Sequence, residues 1–199
     1  MSDSREHILD TAARLFMQKS YKDVTMKEIV DQTGMSKGAV YHHFTSKEEL
    51  FGEIVDHYFL KAMQVPFHQL PQDSLKSFYD GLLKIMSKAF RDHMAKIVEV
   101  GGTSFNYYML MFDALKLYPG FREKIMKHND EELKAWTGIV RKAKASGEVR
   151  SKMSDKQIAR LFIFITDGIG MRLIMEGKPE KVTREILALW DELYSELCR

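Results

Sequence analysis

The sequence predicts an all-α protein, on three observations. Apolar residues recur at spacings of three and four almost throughout, and only 4 prolines interrupt 199 residues. Hydroxyl residues also stand three positions ahead of Glu or Gln where apolar runs begin, as helix starts require. With 45% apolar and 11% aromatic residues, the chain has enough apolar surface to bury a sizeable core.

Each element has its own signal. Ile8, Leu9, Ala12, Leu15 and Phe16 form one stripe of a first helix, whose other faces carry Arg5, Asp10, Arg14 and Lys19. A loop with Tyr21 and Asp23 ends it. Thr25-Met-Lys-Glu28 has the form of a capping box, in which the hydroxyl accepts from a free backbone N–H and the carboxylate reaches back, so a second helix starts there. Gly34 stops it by taking the left-handed conformation. Ser36 caps a third helix, and Ser46-Lys-Glu-Glu49 is a second capping box opening a fourth. Longer helices are expected over 46–64, 74–93, 95–101, 103–117, 120–146, 154–176 and 180–198. Breaks fall at Pro66 to Pro71, at Tyr118-Pro119-Gly120, at Ala145-Ser146-Gly147 and at Gly177-Lys178-Pro179. The expected organisation is a small three-helix domain over 1–50 and a larger helical domain over 51–199.

Composition excludes more than it suggests. The amino end, Met1 to Arg5, lacks the cationic start and apolar stretch of a signal peptide, and the apolar clusters Leu161 to Ile165 and Met109 to Phe112 are too short to cross a bilayer. A cytoplasmic protein is expected. The single cysteine, Cys198, precludes an intrachain disulfide and is poorly placed for a thiol nucleophile beside the last residue. Residues 1–50 hold 7 Lys/Arg against 8 Asp/Glu, so bulk charge does not point to nucleic acid and local geometry must.

That geometry lies in Gly34 to Phe51, GMSKGAVYHHFTSKEELF. Two short helices around a tight glycine turn fit a helix-turn-helix, which lays its second helix in the DNA major groove. Ile29, Val30, Val40 and Phe44 are expected inside. Ser36, Lys37, Gly38 and Ala39, then Tyr41, His42 and His43, are left outside. Glycine costs about 1 kcal/mol relative to alanine within a helix, and its presence makes sense where something must come close. Lys37 can donate to guanine or to phosphate, and Tyr41, His42 and His43 to phosphate oxygens. The helix starts at Thr25, Ser36 and Ser46, with Lys47 beside the last, suit phosphate.

The run TMKEIVDQTGMSKGAVYHHFTSKEELF, preceded by ILDTAARLFMQKSYKDV, resembles the DNA-binding domain of the TetR family of bacterial transcriptional regulators. The match covers residues 4–52 closely, and the rest of the chain in layout only. The resemblance implies phosphate contacts from Thr25, Ser36, Tyr41, His42, His43 and Lys47, and base contacts from Lys37 and Gly38. One departure is Val30, where the family commonly has alanine at the crossing of the two helices; the larger side chain bears on the docking angle.

In the carboxy-terminal body, Ser154-Asp-Lys-Gln157 caps a helix that is apolar around much of its circumference, and Val182, Ile186, Trp190, Leu193 and Leu197 form a stripe on the last helix. A homodimer through Leu161, Phe164, Gly168, Ile186, Trp190, Leu193 and Leu197 is expected, because one short reading helix discriminates too few base pairs. The Met- and aromatic-rich middle suits either an ordinary core or a pocket for an apolar or aromatic small molecule. The resemblance implies an effector pocket there, with Met86, Phe90, Thr103, Asn106, Tyr107, Met111, Phe112 and Trp136 as candidates. The polar cluster TSFNYY at Thr103 to Tyr108 is the place for orienting contacts.

No glycine-rich phosphate loop, nucleophile elbow or HExxH motif is present, so neither an enzyme nor a cofactor is expected. His128 with Glu132, and Glu53 with His57, stand at i and i+4, but two ligands do not make a metal site. The expected function is a ligand-responsive dimeric repressor on a palindromic operator. The alternative is a helical ligand-binding or adaptor protein that no longer reads DNA.

Overall fold

A computed structural model describes residues 3–60, 64–99 and 104–199, and among these the chain is helical with no strand. Helix α1 is Asp3–Gln18. After a 3-10 turn at Tyr21–Asp23 come α2 (Met26–Thr33), α3 (Lys37–His43) and α4 (Lys47–Val55), which runs into a π-helical turn at Asp56–Leu60. The body follows as α5 (Leu75–Glu99), α6 (Ser104–Leu117), α7 (Phe121–Ala145), α8 (Asp155–Met175) and α9 (Val182–Cys198). The expected break between 93 and 95 is absent. No proline or glycine stands there to release the backbone, and α5 runs through.

The chain forms two compact units, residues 1–64 with 90–124 and residues 65–89 with 125–199. The division expected after residue 50 therefore falls within α4. In the first unit Ile8, Ala12, Phe16, Val24, Ile29, Val40, Phe44, Leu50, Phe51 and Ile54 are buried together, and α6 packs on α1 and α4 with Leu110 and Ala114 inside. Phe16, Tyr21 and Phe51 form a ring cluster with centroids 4.6–5.6 Å apart.

The second unit is built on aromatic stacking. Trp136 of α7 lies parallel to Phe162 of α8 at 4.8 Å and edge-on to Phe78 of α5 at 5.1 Å and Trp190 of α9 at 5.2 Å. The Trp190 indole donates to the Phe162 carbonyl at 3.0 Å, which satisfies its polar end in the core. The Glu148 carboxylate accepts from the Leu75 and Lys76 backbone N–H groups and from the Tyr194 hydroxyl, placing negative charge at the start of α5.

Of the capping boxes, the one at Ser154 and Gln157 closes in both directions. At Thr25 the hydroxyl accepts from the Glu28 N–H, but the Glu28 carboxylate pairs with Lys19. At Ser46 the hydroxyl accepts from the Glu49 N–H, while Glu49 reaches one residue further back, to the Thr45 N–H and hydroxyl.

Candidate functional site

The α2–α3 turn is fixed from three sides. Gly34 takes φ 66°, the left-handed conformation that ends α2. Thr33 donates its hydroxyl to the Val30 carbonyl at 2.8 Å and accepts from the Met35 N–H at 3.3 Å. From α1, His7 Nε2 lies 3.0 Å from the Thr33 carbonyl. Ile29, Val40 and Phe44 are fully buried between the helices, while Val30 at the crossing is half-buried. Arg5 closes the back, its guanidinium over the Phe44 ring at 4.8 Å and on the Glu53 carboxylate at 2.8 Å.

This framework leaves Ser36, Lys37, Gly38, Tyr41 and His42 exposed along α3, with His43 half-buried. Thr25 is exposed at the start of α2. The Thr25 and Ser36 oxygens accept from the Glu28 and Ala39 N–H groups at 3.1 and 3.2 Å, a use that leaves each hydroxyl hydrogen to donate outward. The Lys37 ammonium stands 5.6 Å from the Tyr41 ring centroid. Nothing lies within 4 Å of where a Cβ on Gly38 would be, and its φ is that of an ordinary residue. No contact among the described residues therefore requires glycine there.

Lys47 is placed differently from the expectation. Its ammonium, expected on a phosphate, donates to the Tyr21 carbonyl at 3.0 Å and the Val24 carbonyl at 2.7 Å, and lies over the Tyr21 ring at 4.2 Å. Two carbonyls and a ring face hold the charge inside the unit, and the residue is half-buried. The Tyr21 hydroxyl donates to Glu48 at 2.9 Å, and burial with that carboxylate pushes the phenol up to about 12.

The expected dimer residues divide into two groups. Ile186, Trp190 and Leu197 are buried in the second unit, where they take part in the chain's own core. Leu161, Phe164 and Gly168 are exposed on α8, with Phe164 at 62%, and Leu193 is half-buried on α9. Ile165, Leu189 and Leu193 line an open groove of about 460 Å³ on this face, rimmed by Glu192, Glu196 and Arg199. Leu189 and Met175, exposed on the same two helices, were missed by sequence periodicity.

The effector candidates also divide. Trp136 has 0% exposure and is surrounded by Phe78, Phe162 and Trp190, and its buried indole N–H has no hydrogen-bond partner among the described residues. Met86 in the second unit and Phe90, Asn106 and Met111 in the first are half-buried, and Phe112 is exposed. Thr103 and the Tyr107 side chain lie outside the described residues.

Of two acids on α7 and α8, the sequence signalled Glu132 only as a neighbour of His128 and did not signal Asp167. Burial, together with the nearby Asp167 of α8, pushes the half-buried Glu132 of α7 up to about 7, and partial desolvation raises Asp167, which stays exposed to water. Burial lowers His128, one turn from Glu132, with Glu131 acting weakly against it. Among the described residues no three His, Cys, Asp or Glu side chains converge as metal ligands, and no helix is long and apolar enough to cross a membrane.

Residues 8–54 match the family of bacterial regulatory proteins, tetR family. Over 190 residues, 93% of this chain and 87% of its relative, the sequence is 26% identical to the HTH-type transcriptional repressor KstR2 of Mycolicibacterium smegmatis. Over 52 residues, 26% of this chain and 24% of the relative, it is 44% identical to the HTH-type transcriptional regulator AcrR of Shigella flexneri. Among solved structures, SmeT of Stenotrophomonas maltophilia, the repressor of the multidrug efflux pump SmeDEF, superposes with a TM-score of 0.64 at 22% identity, covering 96% of this chain and 89% of that one.

Proposed function

From the premise that the chain belongs to the tetR family of bacterial regulatory proteins, and is a DNA-binding transcriptional regulator and not an enzyme, we propose that it is a homodimeric repressor, released from a palindromic operator by a small apolar or aromatic effector. The observation that carries DNA reading is Gly38. It stands exposed in the first turn of α3 with open space around it, flanked by Ser36, Lys37 and Tyr41, so its cost in helix propensity is offset only by what approaches from outside. Direct base contact falls to Lys37 and the Gly38 backbone, and phosphate contact to Thr25, Ser36, Tyr41, His42 and His43.

The dimer reading rests on Leu161, Phe164 and Leu189, exposed on α8 and α9, with the half-buried Leu193 beside Leu189 in the open groove. Gly168 lies on the same helix with nothing within 4 Å of an added Cβ, which suits close approach of a second backbone. A two-fold dimer presents two reading helices and so favours a palindromic site. The half-buried Phe90 and Met111 of the first unit fit an adaptable apolar lining. Similarity to the transcriptional repressor of Mycolicibacterium smegmatis favours repression over activation.

Duplexes selected by the protein from a random library test the first step. The expected product is a palindrome bound with a steep salt dependence by a protein that sediments as a dimer. An aromatic compound that raises the melting temperature is then expected to weaken that complex, since one coupling free energy links both sites. Retention of no duplex above background at low salt overturns the DNA-binding reading.

A further inference from the structure

The 3-10 turn at Tyr21–Asp23 is held from both sides by elements outside it. On one side its first N–H donates to Asp113 Oδ2 of α6 at 3.2 Å. On the other side the Tyr21 and Val24 carbonyls accept from Lys47, the first residue of α4, and the Tyr21 hydroxyl donates to Glu48, the second. The turn thus bridges α6 and the start of α4, with Ser46 capping that start. Val24 is fully buried and immediately precedes Thr25, the cap of α2. A single lysine therefore ties the start of α4 to the residue leading into α2, two of the three helix starts assigned to phosphate.

We propose that Asp113 is a positioning residue for DNA binding: through the Tyr21 peptide and Lys47 it sets the spacing of the α2 and α4 starts, and Lys47 serves in the same chain of contacts instead of neutralising a phosphate. This rests on the DNA-binding reading above. Asp113 lies 92 residues from its partner and far outside the helix-turn-helix in sequence. It acts as a hydrogen-bond acceptor, so a neutral acceptor of the same shape serves in its place. Because Asp113 and Lys47 hold the same residue, loss of either leaves less for the other to hold, and the two losses do not multiply.

The test uses the full-length protein and a duplex selected by the wild type from a random library. Binding is measured at four salt concentrations for Asp113→Ala, Asp113→Asn, Lys47→Met and the Asp113→Ala/Lys47→Met pair, with circular dichroism and sedimentation showing that each remains folded and in the wild-type assembly state. Asp113→Ala and Lys47→Met are each expected to weaken binding about three- to tenfold, the range of one ordinary net hydrogen bond. Asp113→Asn is expected to stay within twofold of the wild type, the salt slope to be unchanged throughout, and the pair to lose at least threefold less than the product of the single losses. Wild-type affinity in Asp113→Ala, or losses that multiply, overturns the proposal. So does a salt slope that falls by about one unit per protomer in Lys47→Met, which identifies a phosphate contact. Failure of the wild type to select any duplex is a different result and overturns the DNA-binding reading itself.

Discussion

The Tyr118 ring lies against Gly52, so close that a Cβ built on this glycine stands 3.0 Å from Tyr118 Cε2. The ring has little freedom to yield. Its hydroxyl donates to Asp56 at 2.8 Å, and Lys124 donates to both Asp56 and the Tyr118 oxygen. Glycine here, in the interior of α4, is explained by a neighbour within the chain, whereas Gly38 is not.

Gly52→Ala is therefore expected to change sign with its background. In the wild type the clash with a pinned ring outweighs the helix-propensity gain, and urea unfolding should report a loss of about 1 kcal/mol. In Tyr118→Ala the space is open, and the same substitution should stabilise by about 0.5–1 kcal/mol. Stabilisation in both backgrounds would remove the packing argument.

Gly38→Ala is expected to do the reverse of a simple structural change. The free protein should gain up to about 1 kcal/mol in stability. Affinity for a selected duplex should fall by about tenfold or more, because the proposed base contact at Gly38 leaves no room for a methyl group. Melting curves and binding isotherms on one preparation check both signs.

Phe164→Asp and Trp190→Ala should separate assembly from folding. The first introduces charge on an exposed face, so sedimentation should show a folded monomer where the wild type is a dimer. The second removes a 1%-exposed ring and its hydrogen bond to Phe162, at a cost of about 3–5 kcal/mol. Trp190→Ala should lower the melting temperature and Phe164→Asp should leave the helical content intact.

Glu132 predicts a pH dependence. Its folded value of about 7 exceeds the ordinary 4.5, so between these values the folded chain holds more protons than the unfolded one. Its contribution to stability is complete below about 4.5, falls as pH rises, and is lost above about 7. Glu132→Gln should thus stabilise by on the order of 1–3 kcal/mol at pH 8 and little at pH 4.5, read as two melting-temperature differences. Equal shifts at both values would place the carboxylate in contact with water.

Local sequence was enough to place the first four helices and the α2–α3 turn. Gly34, Ser36 and the apolar set Ile29, Val40 and Phe44 act over spans of a few residues, where backbone conformation and helical period decide which side chains turn inward. Tertiary structure decided which partner each remaining group finds. Trp190 and Phe164 both belong to apolar stripes, and only the packing of α8 and α9 buried one and exposed the other. Lys47 reads as a cation beside a helix start until Tyr21 and Val24, more than twenty residues away, bring two carbonyls to it. Asp113 carries no local signal, because a hydrogen bond across 92 residues depends on where α6 docks, a matter of surface shape that periodicity does not encode.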